Sequence, residues 1–117
     1  MPSELIDPAR VEAELAADAD VIRSLRENGD DPRVVRSVDV HFLGGREPIL
    51  RLADAAESLG WAVAQVIDCD DGAMAIDLCR DQTTDEAAVR QLTFDALVIE
   101  QDYGVSYDGW GTLAHPS

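Results

Sequence analysis

"WAVAQVIDCDDGAMAIDLC", residues 61–79, combines two apolar segments with an acidic turn between them. Each apolar segment has the length and composition of a β-strand. The Asp71-Gly72 pair is a strong signal for a β-hairpin, because both residues tolerate the positive φ angles that a tight turn requires. The stretch therefore predicts an antiparallel strand pair in the middle of the chain.

Two further strands and two helices are predicted around this hairpin. "RSVDVHFL", residues 36–43, alternates with period two, and this pattern predicts a half-buried strand with His41 on its solvent face. A helix follows near Pro48 and ends at Gly60. Thr83 and Glu86 form a capping box that opens another helix, which Gly104 terminates. "VSYDG" then forms a last short strand.

The resulting order βαββαβ predicts an α+β fold, the ferredoxin-like plait, with a four-stranded antiparallel sheet and two helices on one face. An extra helix precedes it. Residues 1–117 are expected to be a single domain, with the N-terminal helix at about 8–28 and the plait at about 34–110. The residues predicted to be buried are Val38, Val40, Phe42, Leu52, Leu59, Val63, Ile76, Leu78, Leu92 and Ile99.

The N-terminal helix is predicted to begin at Asp7 and Pro8 and to stop at Gly29. Its apolar stripe comprises Val11, Leu15, Ile22 and Leu25. Asp18 lies inside that stripe, which indicates that the helix runs along the rim of the core. Glu12, Asp20 and Glu27 fall within about one quadrant of the opposite face.

The last helix carries a second apolar face, formed by Phe94, Leu97 and Val98. This face requires a cover, which either the N-terminal helix or a dimer partner could supply. The helix is favoured because it is tethered and costs no association entropy. We therefore expect a monomer.

The charge is strongly negative: 24 acidic residues stand against 9 basic ones, for a net charge of −15, and every basic residue is arginine. Such a chain repels nucleic acid and anionic lipid, so direct nucleic-acid binding and membrane binding are not expected. Basic proteins or basic segments are the natural partners, although the charge could also serve only solubility. The N-terminus lacks the basic and apolar regions of a signal peptide, and we expect a cytoplasmic protein.

Sequence patterns for catalysis or metal binding are weak. His41, His115, Cys69 and Cys79 lack the short spacing of zinc ligands, and the aspartates before Gly72 do not match a calcium loop. A hairpin turn near Asp71 places Cys69 opposite Ala73 and Cys79 opposite Val63, so a disulfide is not expected. No phosphate-binding loop or nucleophile elbow is present. No enzyme activity, cofactor or metal is predicted.

"VSYDGWGT", residues 105–112, places two large aromatic side chains near the end of an acidic, alanine-rich chain. Tyr107 and Trp110 could fold over an edge of the core, with Gly109 and Gly111 supplying backbone freedom. They could equally contact a partner, since Tyr and Trp dominate binding hot spots. The sequence leaves both interpretations open.

This motif, together with "NGDDP", "VDVHF" and "AESLGWAV", resembles the regulator of ribonuclease activity B family, and the likeness spans nearly the whole chain. "YDGWG" is its most specific part. The resemblance implies a small acidic cytoplasmic protein with a ferredoxin-like fold. It also implies a protein without catalysis of its own that binds and inhibits ribonuclease E.

A basic segment of ribonuclease E is the expected partner, and acids on the first helix and in the turns would attract it. Tyr107, Asp108 and Trp110 would supply contact area. The alternative is a ligand-sensing or generic protein-interaction plait domain with no ribonuclease target. The acids of the predicted docking set are Glu12, Asp20, Glu27, Asp30, Asp31, Asp70 and Asp71.

Overall fold

The structure, a computed structural model, describes residues 6–112, with the backbone alone at Asp70. His115 of the zinc hypothesis and the side chain of Asp70 therefore lie outside the described part. The elements follow in the predicted order α-βαββαβ. They are α1 (Pro8–Glu27), β1 (Arg36–Gly45), α2 (Arg46–Ala55), β2 (Ala62–Asp68), β3 (Ala73–Gln82), α3 (Glu86–Tyr103) and β4 (Ser106–Gly111).

The four strands form one antiparallel sheet in the order β2-β3-β1-β4, and α2 and α3 pack on it. The ferredoxin-like plait is thereby confirmed. The β2–β3 hairpin turns at Asp71 and Gly72, whose φ angles are 68° and 79°. Positive φ at consecutive residues is what the Asp-Gly pair predicted. The turn is closed by the amide of Cys69, which donates to the carbonyl of Ala73 at 2.9 Å.

The core lies between the sheet and the two plait helices, and the strand alternation predicted most of it. Leu59 and Val63 are the two errors, because their side chains are 39% and 42% exposed. Leu59 lies in a short 3₁₀ turn, Glu57–Leu59, after α2 has ended. Val63 lies on β2, an edge strand all of whose residues are exposed. The predicted residues that are buried are Val38, Val40, Phe42, Leu52, Ile76, Leu78, Leu92 and Ile99.

The predicted helix signals at Asp7 and Gly104 are confirmed, and the one at Thr83 is wrong. Asp7 caps α1 by accepting from the amide of Ala9 at 2.9 Å, and Gly104 ends α3 in the left-handed conformation. The capping box at Thr83 does not form. Asp85 caps α3 instead, because its carboxylate accepts from the amide of Ala88 at 3.2 Å, while the Thr83 hydroxyl donates to Asp85.

α1 packs against α3, and its buried residues are Asp18 and Leu25. On α3, Leu97 is buried, and Val98 is only partly buried. The prediction that α1 covers Phe94, Leu97 and Val98 is wrong for Phe94, which remains 43% exposed. The reason is the rotation between neighbouring helical residues. Thr93 bonds to Asp18 and so faces α1. Phe94 is turned about 100° away from it.

A bulge shifts the pairing of β2 with β3 between Val63 and Gln65. Cys79 therefore lies opposite Ala62 and not, as predicted, opposite Val63. Both cysteines are free thiols.

Candidate protein-binding surfaces

Tyr107, the first aromatic residue of the YDGWG motif, is a core residue. It lies on β4 beside Phe42 of β1, with ring centroids 5.6 Å apart and planes inclined by 45°. Burial raises the pKa of its phenol well above the ordinary value, and the carboxylates of Asp18 and Glu14 raise it further. The geometry therefore gives Tyr107 an internal role.

Trp110 connects β4 to α1 through a buried carboxylate. Its indole Nε1 donates to Asp18 Oδ1 at 2.9 Å, and the Thr93 hydroxyl of α3 donates to the other oxygen of Asp18. Burial raises the pKa of the Asp18 carboxyl, although these two hydrogen bonds oppose the shift. Three elements thus meet at Asp18. Trp110 is partly buried and packs against the core, so the geometry supports its anchoring role.

Arg10 and Glu100 fasten the outer edge of β4. The Arg10 guanidinium donates to Glu100 Oε1 at 2.9 Å and to the Tyr107 carbonyl at 3.0 Å. Glu100 Oε1 also accepts from the Tyr107 amide at 2.8 Å. The hydrogen bond to Glu100 raises the pKa of Arg10. Sequence reasoning missed this clamp, because the residues are far apart along the chain.

Asp30 and Asp31 are neighbours with different environments. The Asp30 carboxylate is buried and pairs with Arg36 at 2.7 Å and Arg26 at 2.9 Å, while the Thr84 hydroxyl donates to it at 2.8 Å. Asp31 pairs with the exposed Arg33, whose hydrogen bonds lower the pKa of Asp31. Because Asp30 is buried, an approaching partner cannot reach its carboxylate.

The acids on the outer face of α1 are accessible, as predicted. Glu12, Asp20 and Glu27 are all exposed, on the side opposite Asp18. Arg23 lies among them and pairs with Asp20. The acidic face therefore contains one positive charge that the sequence analysis did not include.

The structure does not bring the predicted docking acids together at one place. α1 lies beside α3 and is bonded to β4, at one edge of the sheet. Asp71 is exposed in the turn between β2 and β3, and β2 forms the opposite edge. The acids of α1 and of the hairpin turn therefore form separate surfaces.

Asp108 faces outward on the sheet surface that carries His41. Its side chain is 60% exposed, and one carboxylate oxygen lies 4.0 Å from His41 Nε2. The other imidazole nitrogen, Nδ1, pairs with Asp77, which also accepts from Gln65 Nε2 at 2.6 Å. Desolvation raises the pKa of Asp77, but the hydrogen bonds from Gln65 and His41 outweigh it and lower the pKa. Asp108 is thus available to a partner.

An apolar groove that the sequence analysis did not identify lies between α3 and the end of α2. Leu59, Phe94 and Val98 line it beside Trp61. Trp61 is buried, with the Arg80 guanidinium carbon 4.1 Å from the ring centroid. Arg80 also pairs with Asp95 at 3.1 Å. The only sequence signal for this groove was the second apolar face of the last helix.

None of the helices within residues 6–112 is both long and apolar enough to span a bilayer. In the same part of the chain, no cluster of three His, Cys, Asp or Glu side chains is placed to hold a metal ion.

The fold defines a class of α+β protein: a ferredoxin-like plait whose last strand is joined to an N-terminal helix through a buried aspartate and a tryptophan. The chain belongs to the family described as "Regulator of ribonuclease activity B", whose profile matches residues 15–112. It is similar to proteins of that name from three bacteria.

The protein of Pseudoalteromonas translucida is 31% identical over 98 residues, covering 80% of this chain and 88% of the relative. The protein of Psychromonas ingrahamii is 26% identical over 114 residues, covering 93% and 90%. The protein of Colwellia psychrerythraea is 28% identical over 97 residues, covering 79% and 84%.

Proposed function

We propose that this protein binds ribonuclease E and inhibits its cleavage of RNA as a stoichiometric regulator without catalysis of its own. The observation that carries the proposal is the family membership over residues 15–112. Three relatives are named regulators of ribonuclease activity. The proposal also assigns the chain to the cytoplasm, the compartment in which messenger RNA is degraded.

The charge supports attraction to a basic segment of the ribonuclease. Net charge of −15 produces a negative potential that steers a cationic partner and raises its association rate. Glu12, Asp20 and Glu27 supply exposed carboxylates on α1, and Asp71 and Asp108 add exposed negative charge elsewhere on the sheet. Rim charges of this kind act mainly on the association rate.

Trp110 and Tyr107 contribute indirectly in this mechanism. Trp110 holds Asp18, and Asp18 lies on the inner face of α1, opposite the acids. The anchor therefore sets the direction in which the acidic face points. Removing it displaces the exposed acids of α1 without removing any of them.

The first experiment measures cleavage of a defined RNA by ribonuclease E while this protein is titrated. Inhibition should saturate at a fixed molar ratio. Binding kinetics should show slower association at higher salt, because the Debye length is only about 10 Å at 0.1 M. A wild-type protein that neither binds nor inhibits ribonuclease E would contradict the proposal.

A charge variant tests whether the acidic face of α1 attracts the partner. Glu12→Gln, Asp20→Asn and Glu27→Gln together should slow association severalfold at low salt and change dissociation little. The matched control removes three exposed carboxylates from the sheet and α2, through Asp39→Asn, Glu47→Gln and Asp81→Asn. Equal slowing by both variants would show that overall charge, and not the α1 face, attracts the partner.

A further inference from the structure

The two outer edges of the sheet differ in how far other residues cover them. The β4 edge is covered at Tyr107, where Arg10 binds the carbonyl and Glu100 binds the amide. All seven residues of β2, at the other edge, are exposed.

β2 also lacks most features that protect an edge strand. Natural edges are commonly blunted by lysine, proline, inward-pointing charges or bulges. The β2 sequence AVAQVID contains no basic residue and no proline, and its one charge is Asp68 at the end. The bulge between Val63 and Gln65 leaves residues 65–68 in regular pairing with β3. The exposed edge can therefore accept another strand.

We propose that the outer edge of β2 is the docking site for an extended cationic segment of the partner, which adds a strand to the sheet. This inference rests on the proposed function, because the partner is the regulated ribonuclease. Main-chain hydrogen bonds to β2 would supply affinity, and alternate side chains would supply specificity.

The surroundings of β2 indicate which side chains the segment carries. On the helix side, the carboxylates of Asp54 and Glu57 line a groove with Trp61 and Val63. An arginine fits this groove, since its aliphatic stem packs on apolar surface while its guanidinium pairs with carboxylate.

The opposite side of β2 is partly apolar. Gln65 lies opposite Asp77 on this side, and Ile67, two residues on, is 41% exposed. Apolar side chains of the incoming strand can pack beside Ile67. An extended segment that alternates arginine with apolar residues matches both sides.

A second copy of this chain is a poorer occupant. Two chains of net charge −15 repel each other, and pairing of two β2 edges would bring both sets of Asp54 and Glu57 close to the same interface. The cationic segment neutralises those carboxylates instead.

The test uses a synthetic eight-residue peptide of alternating arginine and valine, and the same peptide with every backbone nitrogen methylated. Both carry the same side chains and charge, but the methylated peptide cannot donate main-chain hydrogen bonds. The parent peptide should slow hydrogen exchange at β2 amides and bind at least about tenfold more tightly. Equal binding of the two peptides, no binding of the parent, or protection confined to α1 or β4 would overturn the proposal.

A protein variant gives an independent measurement. Ile67→Lys places a positive charge on the edge and should weaken binding of the parent peptide at least about tenfold. Val35→Lys, at a residue before β1 that is 63% exposed, also places a lysine at an exposed apolar position, away from β2, and should leave peptide affinity nearly unchanged. Melting temperatures establish that both variants are folded. An equal effect of the two variants would overturn the proposal.

Ribonuclease E then separates this inference from the proposed function. Binding of ribonuclease E that is weakened by Ile67→Lys and not by Val35→Lys supports both. Equal binding of the wild type and Ile67→Lys overturns the edge as the docking site and leaves the proposed function standing. If the wild type does not bind ribonuclease E, the proposed function fails, and the peptide comparison decides whether β2 accepts a cationic strand.

Discussion

The carboxylates of this protein have two different roles, and a carboxylate that is surrounded by hydrogen-bond donors has a structural one. Most of the acids are on the surface, but Asp18 and Asp30 are buried. Asp30 is paired with two arginines, and Asp18 accepts from a tryptophan and a threonine. A buried charge without such donors would be strongly destabilising. These two residues therefore hold the structure together and do not meet a partner.

Asp30→Ala should destabilise the protein by about 3–5 kcal/mol, because it leaves the buried Arg36 guanidinium without its carboxylate. Asp31→Ala, at the neighbouring residue, is the control. It should lower the free energy of unfolding much less, since Asp31 pairs with the exposed Arg33. Urea unfolding followed by circular dichroism measures both. Equal losses would show that the ion pairs of Asp30 contribute no special stability.

Asp18→Asn should change the dependence of stability on pH. Because the pKa of Asp18 is raised in the folded state, its contribution to stability is largest below the unfolded pKa of about 3.9. That contribution is lost as pH rises through the higher folded pKa. Asparagine stays neutral and still accepts from Trp110, so the variant should gain stability relative to the wild type as the pH rises above about 4.

Urea unfolding at several pH values measures this difference. Asp20→Asn, at an exposed position of the same helix, is the control. A difference between Asp18→Asn and the wild type that stays constant with pH would contradict the assignment of the raised pKa to Asp18.

Among the secondary-structure elements, the two edge strands differ in whether their outer backbone is covered. β4 is short, yet α1 and α3 cover its edge through Arg10 and Glu100. β2 is apolar and open. The same position in the fold, an outer strand, is thus closed at one side and available at the other.

Arg10→Ala should loosen the β4 edge, because it removes the bond to the Tyr107 carbonyl and frees Glu100. We expect the Tyr107 amide to exchange hydrogen at least about tenfold faster, measured by NMR under native conditions. Arg23→Ala removes an arginine from the same helix whose partner is the exposed Asp20, and it should leave this exchange unchanged. Equal exchange in both variants would show that the clamp does not hold β4.

At the scale of the whole molecule, the negative charge and the exposed apolar groove beside α3 have opposite effects on self-association. The groove at Phe94, Leu59 and Val98 favours association, while a net charge of −15 keeps copies apart. The lining of the groove also includes Gln91 and the carboxylate of Asp95, so it is not wholly apolar. We expect the charge repulsion to outweigh the apolar attraction, so that the chains stay separate.

We therefore expect a monomer at micromolar concentration, and light scattering measures the mass directly. Because screening weakens repulsion, any association should increase with salt. A stable dimer at low salt that Phe94→Glu dissociates would contradict the prediction. It would also identify the groove as the interface.

Local patterns in the sequence determined the order of the elements, the hairpin at Asp71-Gly72 and the inward faces of β1 and β3. These features depend on neighbouring residues, whose spacing matches the period of a strand or helix. Only the tertiary structure separated Asp30 from Asp31, exposed Leu59 and Val63, and joined Trp110 to Asp18 across 92 positions in the sequence. Burial, ion pairing and edge position depend on which distant residues become neighbours, and spacing along the chain carries no record of that.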